Sequence, residues 1–224
     1  MQLQLGENKT VELTGWVGST KKNFMNLFKE KGEKVAEQDV LGILVYPFIT
    51  PNDIYYSEAE LQYILINLRD ISVKDDITFV EECVNEECNE VLDVSLKVSD
   101  IYSYTQSKYP STDGKIAWRD IQGKNDLKDL VAKNENELPG NTEAYLHIES
   151  YDGNQITSFN QIQELVDELP LNESNDIIDN FDRNKSSIEL SCEETCKCGE
   201  VNVFEFESIP SFFDPLLPKE LQQK

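Results

Sequence analysis

Basic residues are scarce in this sequence. The chain of 224 residues has 20 lysines and arginines against 43 aspartates and glutamates, so its formal net charge is −23. Nucleic acids and anionic membranes are bound mainly through lysine and arginine side chains that neutralise phosphate groups. We therefore expect no nucleic-acid or membrane partner, and we expect the partners of this chain to be other proteins.

The sequence also has no apolar run of about 18 residues, the length that spans a membrane. Residues 1–11 have neither the basic nor the apolar region of a signal peptide. We therefore expect the chain to stay in a cytosol, where thiols remain reduced. The cysteine count is five, an odd number, and a disulfide framework is not expected.

The common signatures of catalysis are missing. The sequence has no glycine-rich phosphate loop, no G-x-S-x-G elbow and no H-E-x-x-H motif. A cysteine nucleophile needs a basic neighbourhood, and the cysteines here lie among glutamates. The single histidine, His147, alternates with Leu146 and Ile148, and we expect it on the exposed or half-exposed face of a strand in a structural role. We do not expect an enzyme; the enzymatic alternative is a metal-dependent hydrolase that uses carboxylates.

All the cysteines fall in two segments that share one organisation. In the first segment, two strand-like runs, Ile77–Val80 and Val91–Leu96, flank a pair of cysteines. In the second segment, Ser187–Glu205, strand-like runs flank the other three. Two strand–turn–strand units with thiols at their bends are typical of a zinc ribbon, because a tetrahedral zinc ion takes two ligands from each of two turns.

The spacing of the cysteines predicts the ligands. Cys83 and Cys88 are separated by four residues, the upper limit for a zinc knuckle. Aligning the two segments by their outgoing strands places Cys198 opposite Cys88 and leaves Cys192 as the counterpart of Cys83. We predict a Zn²⁺ site formed by Cys83, Cys88, Cys192 and Cys198, with Cys196 as an alternative ligand.

The negative charge of the same loops is an objection to a metal site. Glutamates crowd both cysteine segments, and negative charge does not help to retain thiolates. These glutamates are Glu81, Glu82, Glu86, Glu87, Glu90, Glu193 and Glu194. The alternative to a metal site is a metal-free remnant of a ribbon whose thiols are simply buried.

Helix signals occur on both sides of the first cysteine segment. Ser57 with Glu60, and Ser158 with Gln161, have the spacing of a capping box ahead of apolar residues at helical intervals. The apolar run Val40–Ile49 fits either a buried strand or the start of a buried helix, because periodicity cannot separate the two.

Further elements are predicted after the first cysteine segment. Asp152-Gly153 is a strong turn signal, and it predicts a hairpin between strands at 144–150 and 155–157. Short helices are predicted at Asn125–Lys133 and Asn172–Phe181.

Together these elements predict an α+β fold. A split zinc-ribbon-like module of short antiparallel strands joins an N-terminal helical part to an inserted mixed segment of helices and a hairpin. The expected boundaries are a mainly helical part at 1–75, the first half of the module at 76–101, the inserted segment at 102–185, the second half at 186–208 and a Phe/Pro-rich tail at 209–224.

The tail is a candidate binding segment. Its apolar side chains stand between prolines, which prevent a long helix or a central strand. These side chains are Phe212, Phe213, Leu216 and Leu217. They dock on a partner, or they fold back onto the chain's own ribbon.

Three blocks of the sequence occur in a recognisable order. They are the segment around Trp16, the block Tyr56–Ser72 that leads into Cys83, and the C-terminal block Phe159–Phe213. The last block contains, in order, Leu169-Pro170, Phe181, Ile188–Leu190, Cys198-Gly199, Val201–Phe206 and Phe212-Phe213. This order resembles the T-even-type (T4-like) myophage baseplate hub and baseplate-assembly family, although the family's C-x2-C is stretched here and interrupted by Cys196. Residues 102–141 match no block.

The resemblance implies a non-enzymatic role in a contractile phage tail. The chain would be a structural or assembly protein of the central baseplate hub, with other hub or tail proteins as partners. Its location would be the virion tail baseplate, and the host cytoplasm during assembly. The alternatives are an assembly chaperone absent from the finished virion and a cytosolic zinc-ribbon adaptor protein.

Overall fold

The computed structural model of the chain describes residues 1–6, 9–31, 37–73, 76–109, 112–119 and 142–205. These residues form two compact units. The first unit takes its residues from 1–52, 58–105 and 188–205, and the second from 53–57 and 106–187. All five cysteines therefore belong to the first unit, and most of the second unit lies between the two cysteine segments in the sequence.

Short strands and helices form the N-terminal part of the first unit. In order they are β1 (Gln2–Gln4), β2 (Thr10–Leu13), α1 (Gly18–Lys31), α2 (Glu37–Leu44), β3 (Ile49–Thr50) and α3 (Glu58–Val73). The strands form an antiparallel sheet in the order β1-β2-β3. Val11 and Leu13 of β2 are buried, as expected for a strand with one face against a core.

The apolar run at 40–49 is divided between a helix and a strand. α2 ends at Leu44, a 3-10 turn follows at Tyr46–Phe48, and β3 begins at Ile49. Pro47 lies within that turn and has no backbone N–H to continue an α-helix. Each of the two alternatives left open by the sequence therefore describes part of the run.

α3 is buried over more of its surface than the sequence predicted. The apolar residues Ile64, Leu65 and Leu68 are buried as expected, but Asn67 and Arg69 are buried as well. Near its N-terminus, the Glu60 carboxylate lies 2.7 Å from Lys9 Nζ, and the two side chains are 5% and 7% exposed. A buried charge is retained when it is paired, so this ion pair joins α3 to the loop before β2.

The first cysteine segment forms an antiparallel hairpin. β4 (Ile77–Glu82) pairs with β5 (Val91–Leu96) along its whole length, from Ile77 opposite Leu96 to Glu82 opposite Val91. β6 (Tyr102–Thr105) follows after a 3-10 turn. The predicted strands are confirmed, with β4 extending two residues beyond the predicted end.

The second unit combines a small sheet with helices. In order its elements are β7 (Thr112–Asp113), β8 (Ile116–Trp118), α4 (Thr142–Leu146), β9 (Ile148–Tyr151), β10 (Asn154–Gln155), α5 (Phe159–Glu168) and α6 (Leu171–Asn184). The antiparallel sheet has the order β10-β9-β8-β7. Its core contains Trp118, Ala144, Tyr145, Leu146, Ile148, Ile156, Ile162, Ile177 and Phe181. The helices and the hairpin predicted for this region are therefore both present.

The two C-terminal helices follow their sequence signals closely. Ser158 accepts a hydrogen bond from the Gln161 N–H, the Gln161 side chain returns to the Ser158 backbone, and this capping box starts α5. α5 ends before Pro170, and α6 covers the predicted helix at 172–181 with a few residues more at its C-terminal end. The predicted helix at 125–133 lies outside the described residues.

The hairpin is confirmed only near its turn. Asp152 and Gly153 both have positive φ, 49° and 78°, as a two-residue type I′ turn requires. Residues 142–146, however, form α4, so the predicted strand begins late, at Ile148. The prediction for His147 is wrong on exposure: its ring is buried and contacts the rings of Tyr55, Tyr109 and Phe181. Aromatic packing overrides the alternation that predicted a strand here.

The second cysteine segment returns the chain to the first unit. β11 (Ser187–Thr195) pairs with β12 (Val201–Glu205), and β6 completes a sheet in the order β12-β11-β6. Phe79 of β4 meets Phe204 of β12 edge to face, with 5.3 Å between ring centroids, so the two cysteine hairpins pack against each other. The predicted mixed α/β chain with small antiparallel sheets is confirmed. In the described part of the chain, no helix has the length and apolar character needed to cross a membrane.

Candidate metal centre

Four thiols from the two hairpin connections meet in one cluster. The sulfur atoms of Cys83, Cys88, Cys196 and Cys198 all lie within 4.8 Å of one another. Cys83 Sγ is 3.8 Å from Cys198 Sγ, and Cys88 Sγ is 3.6 Å from Cys196 Sγ. These separations exceed the bond of about 2.0 Å in a disulfide, and all the cysteines are free. They match the edge of about 3.8 Å in a tetrahedron of sulfurs at the Zn–S distance, so the four thiols can bind a metal ion.

The first connection places its two thiols by extending the β4–β5 ladder. The Cys83 N–H donates to the Glu90 carbonyl at 3.1 Å, so the backbone pairing of the hairpin continues for one residue beyond β4. The Cys88 N–H then donates to the Asn85 carbonyl at 2.8 Å, which closes a turn. The four residues between the cysteines form this turn, and the two thiols belong to the same cluster.

The second connection is tighter. The Cys196 N–H donates to the Glu200 carbonyl and the Gly199 N–H donates to the Cys196 carbonyl, each at 2.8 Å. Gly199 has φ +92°, a conformation that side-chain-bearing residues rarely adopt. The turn therefore brings Cys196 and Cys198 together although only one residue separates them.

Cys192 is the predicted ligand that the structure does not bring into the cluster. Cys192 lies within β11 opposite Phe204, and its side chain is buried. β11 continues to Thr195, so the bend comes later than the sequence alignment assumed. Cys196, the alternative ligand, lies in the cluster instead, together with Cys83, Cys88 and Cys198.

Backbone N–H groups point at three of the sulfurs. The Cys198 N–H donates to Cys196 and lowers the pKa of the Cys196 thiol below its ordinary value. The Glu90 N–H lowers the pKa of Cys88, but hydrogen bonding to Cys198, burial and the other thiols raise that pKa to about 12. Thiolates are the metal-binding form: the Asn85, Glu90 and Cys198 N–H groups favour it at Cys83, Cys88 and Cys196, whereas burial and the neighbouring thiols raise the pKa of Cys83 and Cys88.

Most glutamates of the two loops lie in solvent, and Glu194 is half-buried. Glu90 pairs with Lys197 at 3.3 Å across the connections, and both side chains are well exposed. Glu81, Glu82, Glu86, Glu87 and Glu193 are exposed too. Water and salt screen exposed charges over about 10 Å, so these carboxylates disfavour thiolates less than the sequence alone suggested.

Asn202 is a site residue that the sequence analysis missed. Its side chain is fully buried, and its Oδ1 accepts a hydrogen bond from the Val84 N–H at 2.8 Å, across 118 residues. Its Nδ2 lies 3.4 Å from the Glu194 carbonyl and 3.3 Å from the Glu200 carbonyl. One sequence signal could have identified it: Asn202 is two residues from Phe204 in a predicted strand, so a polar amide lies on the same inward face as that aromatic ring.

Gly199→Ala is expected to weaken the site. An alanine at φ +92° is strained whatever the surrounding space, and left-handed backbone costs a non-glycine residue about 1–2 kcal/mol. The free energy of unfolding of the first unit should fall by about this amount in urea titrations. Gly18→Ala, at a helix N-terminus with open space around the new methyl group, is the matched control and should change little; equal effects for the two variants would contradict the assignment.

The predicted partner-binding residues Phe212, Phe213, Leu216 and Leu217 lie outside the described residues. Comparison with known protein families gives one further finding. A family model described as T4 bacteriophage base plate protein matches residues 2–214, which include both units and all four clustered cysteines. Comparisons with curated proteins and with solved structures give no match.

Proposed function

The chain belongs to the T4 bacteriophage base plate protein family, and from this premise we propose that it is a structural or assembly protein of the central hub of a contractile phage tail. The match over residues 2–214 carries the proposal. Membership supports a structural or assembly protein of the phage baseplate, with other baseplate proteins as its partners. The placement in the hub rests on the order of sequence blocks described above, and so does the non-enzymatic role.

We further propose that the four-thiol cluster binds one zinc ion in a split zinc ribbon. Tetrahedral sets of four thiolates suit zinc or iron–sulfur centres, and zinc is the common ion in structural sites of this kind. Two facing hairpins supply two thiols each, with sulfur separations of 3.6 and 3.8 Å across the pairs. Such a site would hold together two hairpins that are distant in sequence. The residues between them would then form a loop of the chain that begins and ends at the metal site.

The supporting observations favour a baseplate role over a free cytosolic adaptor. An adaptor would also carry a zinc ribbon, but it would not be expected to match a phage baseplate family over most of its length. A transient assembly chaperone remains the alternative within the family. Quantitative mass spectrometry of purified tails separates the two: a hub subunit is present at fixed stoichiometry, whereas a chaperone is found only in the lysate.

The tail is expected to serve assembly and not the fold. Deleting the chain after Ser208 should leave zinc content and melting temperature unchanged but stop incorporation into baseplates, because Phe212 and Phe213 would dock on a partner. Phe212→Ser with Phe213→Ser, at full length, is the control for the loss of the polar end. A lowered melting temperature in the full-length double variant would instead favour the tail folding back on its own ribbon.

A further inference from the structure

Asn202 is the buried polar side chain that links the two cysteine connections. Its amide lies between the peptide after Cys83 and the carbonyls of Glu194 and Glu200, which flank the second pair of thiols. The Glu200 carbonyl also accepts the N–H of Cys196 at 2.8 Å. One side chain therefore contacts the backbone beside a thiol of each hairpin.

The chemistry of this position calls for an amide. The Val84 N–H needs an acceptor, and each of the two carbonyls has a lone pair for a donor, which at Glu200 adds to the bond from the Cys196 N–H; a primary amide supplies one oxygen and two N–H groups. These partners also fix the orientation of the amide, since the oxygen must face the N–H of Val84. Aspartate would keep the acceptor but bring no donor, and an apolar residue would also remove the acceptor of the Val84 N–H.

We propose that Asn202 is a positioning residue that holds the two cysteine connections in register for a single metal ion. The inference rests on the proposed zinc site and goes beyond it, because it assigns the thiol geometry to a residue whose side chain hydrogen-bonds to backbone atoms of both connections. Residues behind the ligands of metal sites typically change metal affinity about 10–100-fold when they are replaced. Asn202 is expected to act in this range.

The test uses the full-length chain with zinc and with Co²⁺ as a spectroscopic probe. Wild-type protein should bind one zinc ion and give the intense visible bands of tetrahedral cobalt thiolate. Asn202→Ala should bind zinc about 10–100-fold more weakly in chelator competition and give weaker, shifted cobalt bands. Val203→Ala, the neighbouring exposed position of β12, is the matched control and should match wild type in both measurements.

Asn202→Asp tests the acceptor of the amide separately from its donors. Hydrogen exchange of the Val84 N–H should remain slow in Asn202→Asp, which keeps the acceptor, and become fast in Asn202→Ala. Zinc affinity should fall in both, because both lack the donors. Wild-type zinc affinity and unchanged cobalt bands in both variants would overturn the proposal, whatever happens to the melting temperature. A wild-type protein that takes up no zinc would instead overturn the metal site itself.

Discussion

Cys83→Ser is expected to remove zinc from the purified protein and to unfold the paired cysteine hairpins at a much lower denaturant concentration. Serine is not a soft anionic ligand, so three thiolates would remain. Structural zinc sites contribute about 10–16 kcal/mol of apparent binding free energy in zinc-finger peptides. Losing such a site is among the few single changes that cost more than about 4 kcal/mol, and we expect a loss of that size in the first unit.

The structure allows an internal control for this experiment. Cys192→Ser changes a buried thiol that lies outside the cluster, so it should keep zinc and lose only about 1–3 kcal/mol for a buried hydroxyl. Cys196→Ser should behave like Cys83→Ser. The first unit can be followed through Trp16 in a Trp118→Phe background, because each unit contains one of the two tryptophans. If Cys192→Ser loses zinc and Cys196→Ser keeps it, the ligand set given by the structure is wrong.

The ion pair between Lys9 and Glu60 is expected to give the second large effect. The two side chains are 7% and 5% exposed and their charged atoms lie 2.7 Å apart. Glu60→Ala leaves the lysine charge buried without its carboxylate, and removing one partner of a buried pair costs about 3–5 kcal/mol. Urea unfolding followed by Trp16 fluorescence should show a loss of this size.

Replacing both residues shows whether the loss in Glu60→Ala comes from the buried, uncompensated lysine charge or from the lost attraction between the two charges. Lys9→Met with Glu60→Leu removes both charges and keeps apolar volume, and such replacements are often neutral or stabilising. We therefore expect the double variant to recover most of the stability lost in Glu60→Ala. A double variant less stable than Glu60→Ala would show that the charges themselves stabilise α3 against the loop before β2.

The cysteine hairpins could be predicted because two independent patterns coincide there. Strand-like runs predict β4, β5, β11 and β12, and cysteines lie between the paired runs. The choice between Cys192 and Cys196 could not be made in the same way. It depends on how far β11 continues before the bend, and pairing with β12 decides that in three dimensions: Thr195 lies opposite Val201.

Other features depend on contacts between residues far apart in the sequence. The strand predicted over residues 144–147 is instead α4 and a turn that buries His147 among aromatic rings. Asn202 looks like an ordinary polar residue of a strand until its partner Val84, from the other hairpin, is known. Local periodicity and capping signals predict secondary-structure elements such as α5. They carry no information on the tertiary contacts that decide which side chains are buried.

Zinc K-edge X-ray absorption of the purified full-length chain tests the metal site most directly. From the proposed site we expect one zinc ion per chain with four sulfur neighbours at about 2.3 Å in wild type and in Cys192→Ser. We expect fewer sulfur neighbours, or no zinc, in Cys196→Ser. A wild-type spectrum dominated by nitrogen or oxygen neighbours, or a protein free of zinc with unchanged stability, would contradict the central claim that Cys83, Cys88, Cys196 and Cys198 form a structural zinc centre.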